Sequence, residues 1–508
     1  MLRRFCYLRS AGLSREFSSK ASSSHVRVRF APSPTGYLHV GGLRTALFNY
    51  LFAKASGGEF LMRIEDTDQT RKVEGSVEAL TKSLHWCGIH EDEGPTVGGP
   101  NGPYIQSERL DIYKKYSKQL INDGHAYRCF CSQDRLKSLR EAATRAGSAT
   151  MYDRACLGLT QDQIDAKMAA GEAHTVRLKI PEGKTTLKDL VRGYVQFDHS
   201  VLDDQVLMKS DGFPTYHLAN VVDDYLMKIT HVIRGEEWLS STPKHVLLYK
   251  ALGFPAPQFA HLGLLLNEDR SKLSKRQGDV AVEDFMKKGF IAPGLVNFVA
   301  LLGWNPAEGS TKEIFTLPEL EKAFSMDHIN KSGSVVNIER LRWINSRHIR
   351  ALFEDENLDK TTTVDMIRPY LTTISNLNDF DIEYVWGALS LMKERVSVLP
   401  EFEPLVQYFF TNPDLTTEIA IEMKQKYFKD GTDTMVNQVR DQLQAISPDD
   451  FQSKIIMDLI KRTAKENKVN VKSILMPLRY YLTGMEVGAS LGDTIVLLGQ
   501  NETLRRLA

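Results

Sequence analysis

Two segments of the 508-residue chain carry side chains suited to phosphate chemistry. The first is APSPTGYLHVGG, Ala31 to Gly42, in which His39 is followed at once by Val40, Gly41 and Gly42. Gly36, Gly41 and Gly42 let backbone approach a ligand closely, and Pro32 and Pro34 stiffen the crossing by fixing φ. Free backbone N–H groups at a helix start, beside an imidazole, make a place for an anion. The second segment is SKLSKRQG, Ser271 to Gly278, in which Lys272 and Lys275 flank Leu273 and Ser274 and Arg276 follows. Two ammonium groups around a serine suit a triphosphate, because they can follow charge as it moves onto a leaving pyrophosphate. Each segment also has a plain reading. A Gly/Pro-rich stretch is usually only a turn, and a basic loop is usually a solvated surface. The two together are far more specific than either alone.

The elements around them must position these loops. Val26–Phe30 alternates apolar and basic residues, a strand pattern. After the first loop, Leu43, Ala46, Leu47, Tyr50 and Leu51 recur on one helical face. Residues 59–64 read as a short buried strand that stops at Glu65-Asp66-Thr67-Asp68. A second helix, with Val73, Val77, Leu80 and Leu84 on one face, ends near Gly88. Strand–helix–strand–helix is the start of a parallel, doubly wound sheet. From Tyr104 to about Ala219 the texture changes, and an inserted α+β domain is expected there. Parallel-sheet signals return at Ile229 to Gly235 and at Leu262 to Leu266, with a helix between them. That helix has Thr242 as N-cap, Pro243 at N1 and Gly253 at its end. Beyond Glu283 the pattern is helical. Val385, Leu389, Met392 and Val396 make one stripe, and Ile455, Leu459 and Thr463 another. The expected layout is α/β: a Rossmann-like domain at 26–104 and 220–283, an insertion at 105–219, then helical domains at 284–350 and 351–508.

Bulk composition bounds the function classes. With 42% hydrophobic and 25% charged residues the chain can build sizeable cores. Basic and acidic residues both number 64, so a nucleic-acid partner would have to meet a local basic surface. No apolar run approaches the length of a membrane span. Five cysteines argue against a secreted disulfide framework. The first residues carry Arg3, Arg4, Arg9, Arg15 and Lys20 against the single acid Glu16, with many serines. That is the composition of a mitochondrial presequence over residues 1–25, and Arg15-Glu16-Phe17 before Ser18 resembles a matrix-peptidase site. The expected location is the mitochondrial matrix.

HVGG and KLSKR resemble the paired signatures of class I aminoacyl-tRNA synthetases. The wider text is similar to the glutamyl-tRNA synthetase family: APSPTGYLHVGG, RIEDTD, YIQSERL, KSDGFPTYHLANVVDD and VIRGEEWLSSTPKH all fit, and LRWIN and PLRYYLTG fit further on. The bacterial and organellar form is the closer one, since its anticodon part is helical. The resemblance implies a catalytic domain of class I type, an acceptor-stem-binding insertion, a stem-contact region and a helical anticodon-binding end. It implies ATP and L-glutamate as substrates, Mg²⁺ as helper, tRNA-Glu as partner and a monomer, and it leaves tRNA-Gln open. His39, Lys272 and Lys275 would be catalytic. Gly36, Gly41, Gly42, Leu273, Ser274 and Arg276 would join them around ATP. Glutamate brings a side-chain carboxylate, and guanidinium donors make its desolvation tolerable. By resemblance Arg29 and Arg234 take that carboxylate, Tyr216 and Asn220 make polar contacts, Glu65 faces the ammonium, and Ala31 and Ser33 line the pocket. His217 reads as packing.

Cys129, Cys131 and Cys156 reproduce a zinc spacing seen in some members of this family, where a fourth ligand lies two residues after the last cysteine. That position is Gly158, so zinc is not expected and no metal residue is assigned. A glutaminyl enzyme would read PEPNG where this chain has Pro32-Ser33-Pro34-Thr35-Gly36, and would carry β-barrels at its C-terminus. A relative that glutamylates a modified tRNA base lacks the helical half. A silent RNA-binding relative should have lost His39, Lys272 or Lys275, and all three are present.

Overall fold

The computed structural model describes residues 25–147, 151–273, 281–307 and 309–508. The first strand, β1 (Arg27–Phe30), is buried along its whole length and pairs in parallel with β2 (Glu59–Met62). Helix α1 (Val40–Ala55) crosses between them. Its apolar face packs on the sheet, but Arg44 and Asn49 are buried too, because further chain covers its other side. Helix α2 (Ser76–Trp86) buries Leu80 and Leu84; Val73 lies before it and is half exposed.

The chain then runs through α3 (Leu110–Asn122), β3 (Ala126–Cys129), α4 (Gln133–Arg145), α5 (Gln161–Ala169) and β4 (Thr175–Leu178). With β7 (Val206–Met208), strands β3 and β4 form an antiparallel sheet in the order β3-β4-β7. The hairpin of β5 (Lys184–Asp189) and β6 (Gly193–Asp198) does not join it. Instead β5 pairs in parallel with β9 (Gln258–Leu262), and β9 pairs in parallel with β8 (His231–Gly235). A stretch read as insertion thus sends one strand into the sheet beside the pocket. The N–H of Thr230, just before β8, bonds to the Arg27 carbonyl and brings the two parallel pairs side by side.

Helices α6 (Tyr216–Leu226) and α7 (Thr242–Leu252) flank β8. The N-cap of α7 is Ser241, one residue before the expected Thr242, and Gly253 ends it at φ 71°. The strand expected at Leu262 to Leu266 is broken. β9 stops at Leu262, and β10 (Leu265–Leu266) pairs with β11 (Ser334–Val335). At the break the backbone of Ser332 comes so close that only glycine fits, since a Cβ on Gly263 would lie 2.5 Å from the Ser332 carbonyl oxygen.

Helices α8 (Val282–Lys287), α9 (Ala292–Ala300), α10 (Leu317–Ala323) and the first half of α11 (Ile338–Glu354) share one core with α1 and the first strands. Phe48, Phe298, Trp304 and Phe324 lie in it. A second core takes in Ile291 before α9, continues from Ile349 within α11 and fills the helical end of the chain. Val385, Leu389, Met392 and Val396 are buried there as the sequence stripe implies. The second stripe is rotated: Ile455 is exposed, while Ile456, Leu459, Ile460 and Thr463 follow the i, i+3, i+4, i+7 spacing into the core. No helix among the described residues is long and apolar enough to cross a membrane.

Candidate active site

The parallel strands deliver their carboxyl ends to one side, where ligands bind in open α/β sheets. A cavity of about 870 Å³ lies there. After β1 the chain enters the 31–42 loop, and Gly36 sits at φ 137°, a conformation that favours glycine. His39 caps α1: its Nδ1 accepts from the Gly42 N–H at 3.0 Å. That bond puts the imidazole proton on Nε2. The ring folds back on Gly41, where a Cβ would come within 3.1 Å of Nδ1. His39 also bridges Ala281, which follows the second loop, so the two predicted loops meet. Lys272 and Leu273 line the same cavity as Gly36, His39, Gly41 and Gly42. Lys272 is exposed, and Leu273 is tied back by its N–H to the Leu265 carbonyl. Ser274, Lys275 and Arg276 lie outside the described residues.

The other end of the cavity is lined by Arg29, Ala31, Ser33 and Glu65, and by Tyr216, Asn220 and Arg234. Arg29 and Arg63 stand on β1 and just after β2, and both reach Asp224 on α6. Arg29 donates Nε to Asp224 Oδ1 at 3.0 Å and Nη2 to Oδ2 at 3.3 Å. Arg63 donates Nη1 to Asp224 Oδ1 at 2.7 Å and Nη2 to Glu65 Oε1 at 3.1 Å. Burial opposes ionisation of Asp224, but the two guanidinium groups outweigh it and hold its carboxyl below the usual range. At Glu65 burial wins over Arg63 and Arg29, and its carboxyl is pushed up. Its Oε1 also accepts from Asn220 Nδ2 at 3.3 Å, which leaves Oε2 to meet a cation. One layer deeper, Asp223 accepts from Arg109, Gln106 and Tyr113.

Arg234, near the carboxyl end of β8, is held differently. Its Nε donates to His261 Nε2 at 3.1 Å, and its Nη1 to the Tyr216 hydroxyl at 2.9 Å and His245 Nδ1 at 3.2 Å. Its Nη2 donates to Thr242 Oγ1 at 3.0 Å and, weakly, to the Trp238 carbonyl at 3.4 Å. These acceptors are neutral, and among the described residues no carboxylate forms an ion pair with Arg234. Burial and the nearby cations push His245 well down, and burial depresses His261 despite Asp189. His217 is no mere packing residue: its Nδ1 lies 3.0 Å from His245 Nε2, and burial lowers it to about 4. Trp238, which the sequence reading did not single out, packs tilted against Tyr216 with centroids 4.2 Å apart and walls the cavity. Lys209 was also missed. It lines the pocket and bonds the Thr67 carbonyl, and the KSDGF segment holding it was quoted only as family text.

The cysteines stand apart, on the β3–β4 sheet. The sulfurs of Cys129, Cys131 and Cys156 lie within 4.8 Å of one another. Nothing lies within 4 Å of a Cβ built on Gly158. The Tyr152 hydroxyl closes the cluster by hydrogen bonding, 3.2 Å from the Cys129 sulfur and 3.4 Å from that of Cys131. A phenol oxygen is not among the thiolate, imidazole and carboxylate ligands of structural zinc sites, and burial and the neighbouring sulfurs keep the proton on Tyr152, so the described residues bring three zinc ligands together and no fourth.

Comparisons agree with this arrangement. The family model described as tRNA synthetases class I (E and Q), catalytic domain, matches residues 25–343, and that of an anticodon binding domain matches 362–508. The chain is 47% identical to the glutamate–tRNA ligase of Chloroherpeton thalassium over 496 residues, covering 96% of this chain and 97% of the relative. It is 44% identical to that of Clostridioides difficile, covering 95% and 98%. A crystal structure of a glutamate tRNA ligase from Elizabethkingia meningosepticum, in complex with its amino acid, superposes with a TM-score of 0.86 at 35% identity, covering 95% of this chain and 98% of that one.

Proposed function

The chain belongs to the class I tRNA synthetases for glutamate and glutamine, and from that membership we propose that it is a glutamate–tRNA ligase. It activates L-glutamate with ATP and esterifies the product onto tRNA-Glu. The observation that carries the choice of amino acid is Arg234, a guanidinium that pairs with no carboxylate among the described residues, facing the cavity that His39 and Lys272 share. A ligand carboxylate supplies the missing charge. Tyr216 accepts from Arg234 and keeps its own proton to donate to that carboxylate. Glu65, raised by burial, gains from the substrate ammonium and orients the α-carboxylate toward ATP. That carboxylate attacks the α-phosphorus and pyrophosphate leaves. His39, with its proton on Nε2, and the lysines of the second loop stabilise the charge that develops. Mg²⁺ would neutralise charge on the phosphates of ATP, and Glu237 on the cavity wall would help to hold it, whereas Asp68 is already engaged by Thr70 and Arg71. A ribose hydroxyl at the 3′ end of tRNA then takes the glutamyl group and releases AMP.

The arginine- and serine-rich residues 1–25 support work in mitochondrial translation, and the family resemblance supports a monomer. A reporter carrying them that stays in the cytosol would refute the location. Glutamate-dependent ATP–pyrophosphate exchange with tRNA present, followed by aminoacylation of tRNA-Glu and tRNA-Gln side by side, tests the activity. Absence of exchange with glutamate would overturn it, and the two tRNAs would show how far specificity extends.

A further inference from the structure

Arg234 is aimed by a chain of neutral imidazoles whose protons are all assigned by their partners. Arg234 Nε–H points at His261 Nε2, so that nitrogen is bare and the proton sits on Nδ1, 2.6 Å from Asp189 Oδ2. Arg234 Nη1–H points at His245 Nδ1, so His245 carries its proton on Nε2 and gives it to His217 Nδ1. Asp189 is buried at the end of β5. Its second oxygen, Oδ1, is fixed by the N–H groups of Val191 at 3.0 Å, Arg192 at 2.8 Å and His261 at 3.3 Å. The carboxylate therefore has one orientation, and it presents an acceptor to His261.

We propose that Asp189 is a positioning residue for substrate recognition: by fixing the His261 tautomer it keeps an acceptor behind Arg234 and so holds the guanidinium toward the side-chain carboxylate of the amino acid. It also places a negative charge one imidazole away from Arg234, without an acid in the pocket that would compete for the substrate's place. The other charges close by, Arg192 and Glu236, pair with each other. This inference rests on the glutamate reading above, and it makes a stereochemical demand. In Asp189→Asn the amide oxygen must take the Oδ1 position, where the backbone N–H groups point. The amide NH₂ then faces His261 Nδ1, which becomes the acceptor. The imidazole proton moves to Nε2 and opposes the Arg234 Nε–H.

The test has two independent parts. The first is ¹⁵N NMR of histidine-labelled wild-type protein, which reports the tautomer of His261 directly. A neutral ring protonated on Nδ1 is expected; protonation on Nε2, or a charged ring, overturns the inference whatever the variants do. The second is exchange kinetics with tRNA present. Asp189→Asn should raise the glutamate KM about tenfold to a hundredfold, the range for losing a partner that orients a ligand-binding group, while the ATP KM stays within about twofold. Adding His261→Gln to Asp189→Asn offers Arg234 an amide oxygen again and should recover much of the glutamate KM. A merely structural role would predict a further loss instead. An unchanged glutamate KM in folded Asp189→Asn, or equal rises for glutamate and ATP, overturns the inference. Failure of the wild type itself to use glutamate would instead count against the proposed function, and the NMR result would stand apart from it.

Discussion

One wall of the amino-acid pocket is a closed lattice of charge; the other holds a guanidinium among neutral acceptors. On the first wall Arg29, Arg63 and Arg109 meet Asp224, Glu65 and Asp223. On the second, Arg234 meets two imidazoles, two hydroxyls and a carbonyl. A buried ion pair is costly to break because it leaves a charge alone, so the first wall gives the pocket its shape. The second wall keeps its charge for a ligand. Two arginines that a motif search treats alike thus differ in what surrounds them. Arg29 shares its charge with Asp224 and offers the pocket only the edge of its guanidinium. Among the described residues Arg234 pairs with no carboxylate directly, the nearest being Asp189 behind His261, and under the proposed function selection of glutamate over the isosteric but neutral glutamine would rest on that charge.

Removing the lone charge should give the largest effect. Arg234→Gln is expected to lower kcat/KM for glutamate by about two to three orders of magnitude, the scale for losing a buried hydrogen-bonded charge. Its poor use of glutamine should barely change, and parallel losses for both amino acids would erase the contrast between the walls. Breaking the lattice should appear in stability instead. Asp224→Asn leaves Arg29 and Arg63 short of a countercharge and should destabilise the fold by about 3–5 kcal/mol, measured by urea unfolding. A neutral result would mean that the first wall is not closed. Tyr216→Phe removes one hydroxyl between Arg234 and the ligand. It should raise the glutamate KM about tenfold, in keeping with roughly 1.5 kcal/mol for a hydrogen bond to a charged group, while leaving the melting temperature in place.

The smallest effect is on pH dependence. His217 is held near 4 against about 6.5 unfolded, so the unfolded chain binds more protons between these values and stability rises with pH across that window. This contribution is complete above the unfolded value and is lost as pH falls through about 4. From pH 7 to pH 6 the loss is about 0.7 kcal/mol. His217→Asn, which keeps an acceptor for His245, should flatten the slope by one proton, with His348 on the helical side, also near 4, still titrating. An unaltered slope would mean that His217 is not held neutral.

The parts of the site that could be read from the sequence are local ones. His39, Gly41 and Gly42 sit within one turn of each other, and the strand–loop–helix pattern around them declares itself. Arg234, Tyr216 and Asn220 were reached through resemblance alone. What spacing could not give is pairing between distant strands. Asp189 and His261 are 72 residues apart and meet only because β5 joins β9, whereas the texture of the sequence put β5 in an insertion. Asp224 reaches Arg29 across 195 residues, and nothing in either neighbourhood announces the pair. His217 read as packing because its partner, His245, lies on another helix. Tyr152 escaped notice because the spacing of cysteines says nothing of a phenol folded back among their sulfurs. The helical end showed its composition and periodicity, but a one-residue rotation separates Ile455, outside, from Ile456, inside. The strand expected to run through Gly263 changes partner there, and β10 pairs with β11, some seventy residues on, which no local rule contains.

A crystal structure of the chain with L-glutamate bound tests the contrast between the two walls most directly. The side-chain carboxylate should lie within hydrogen-bond distance of Arg234 and the Tyr216 hydroxyl, with the ammonium against Glu65 and Arg29 still held by Asp224. A glutamate turned the other way, its side-chain carboxylate away from Arg234 and Arg234 unchanged among its neutral acceptors, would contradict the account.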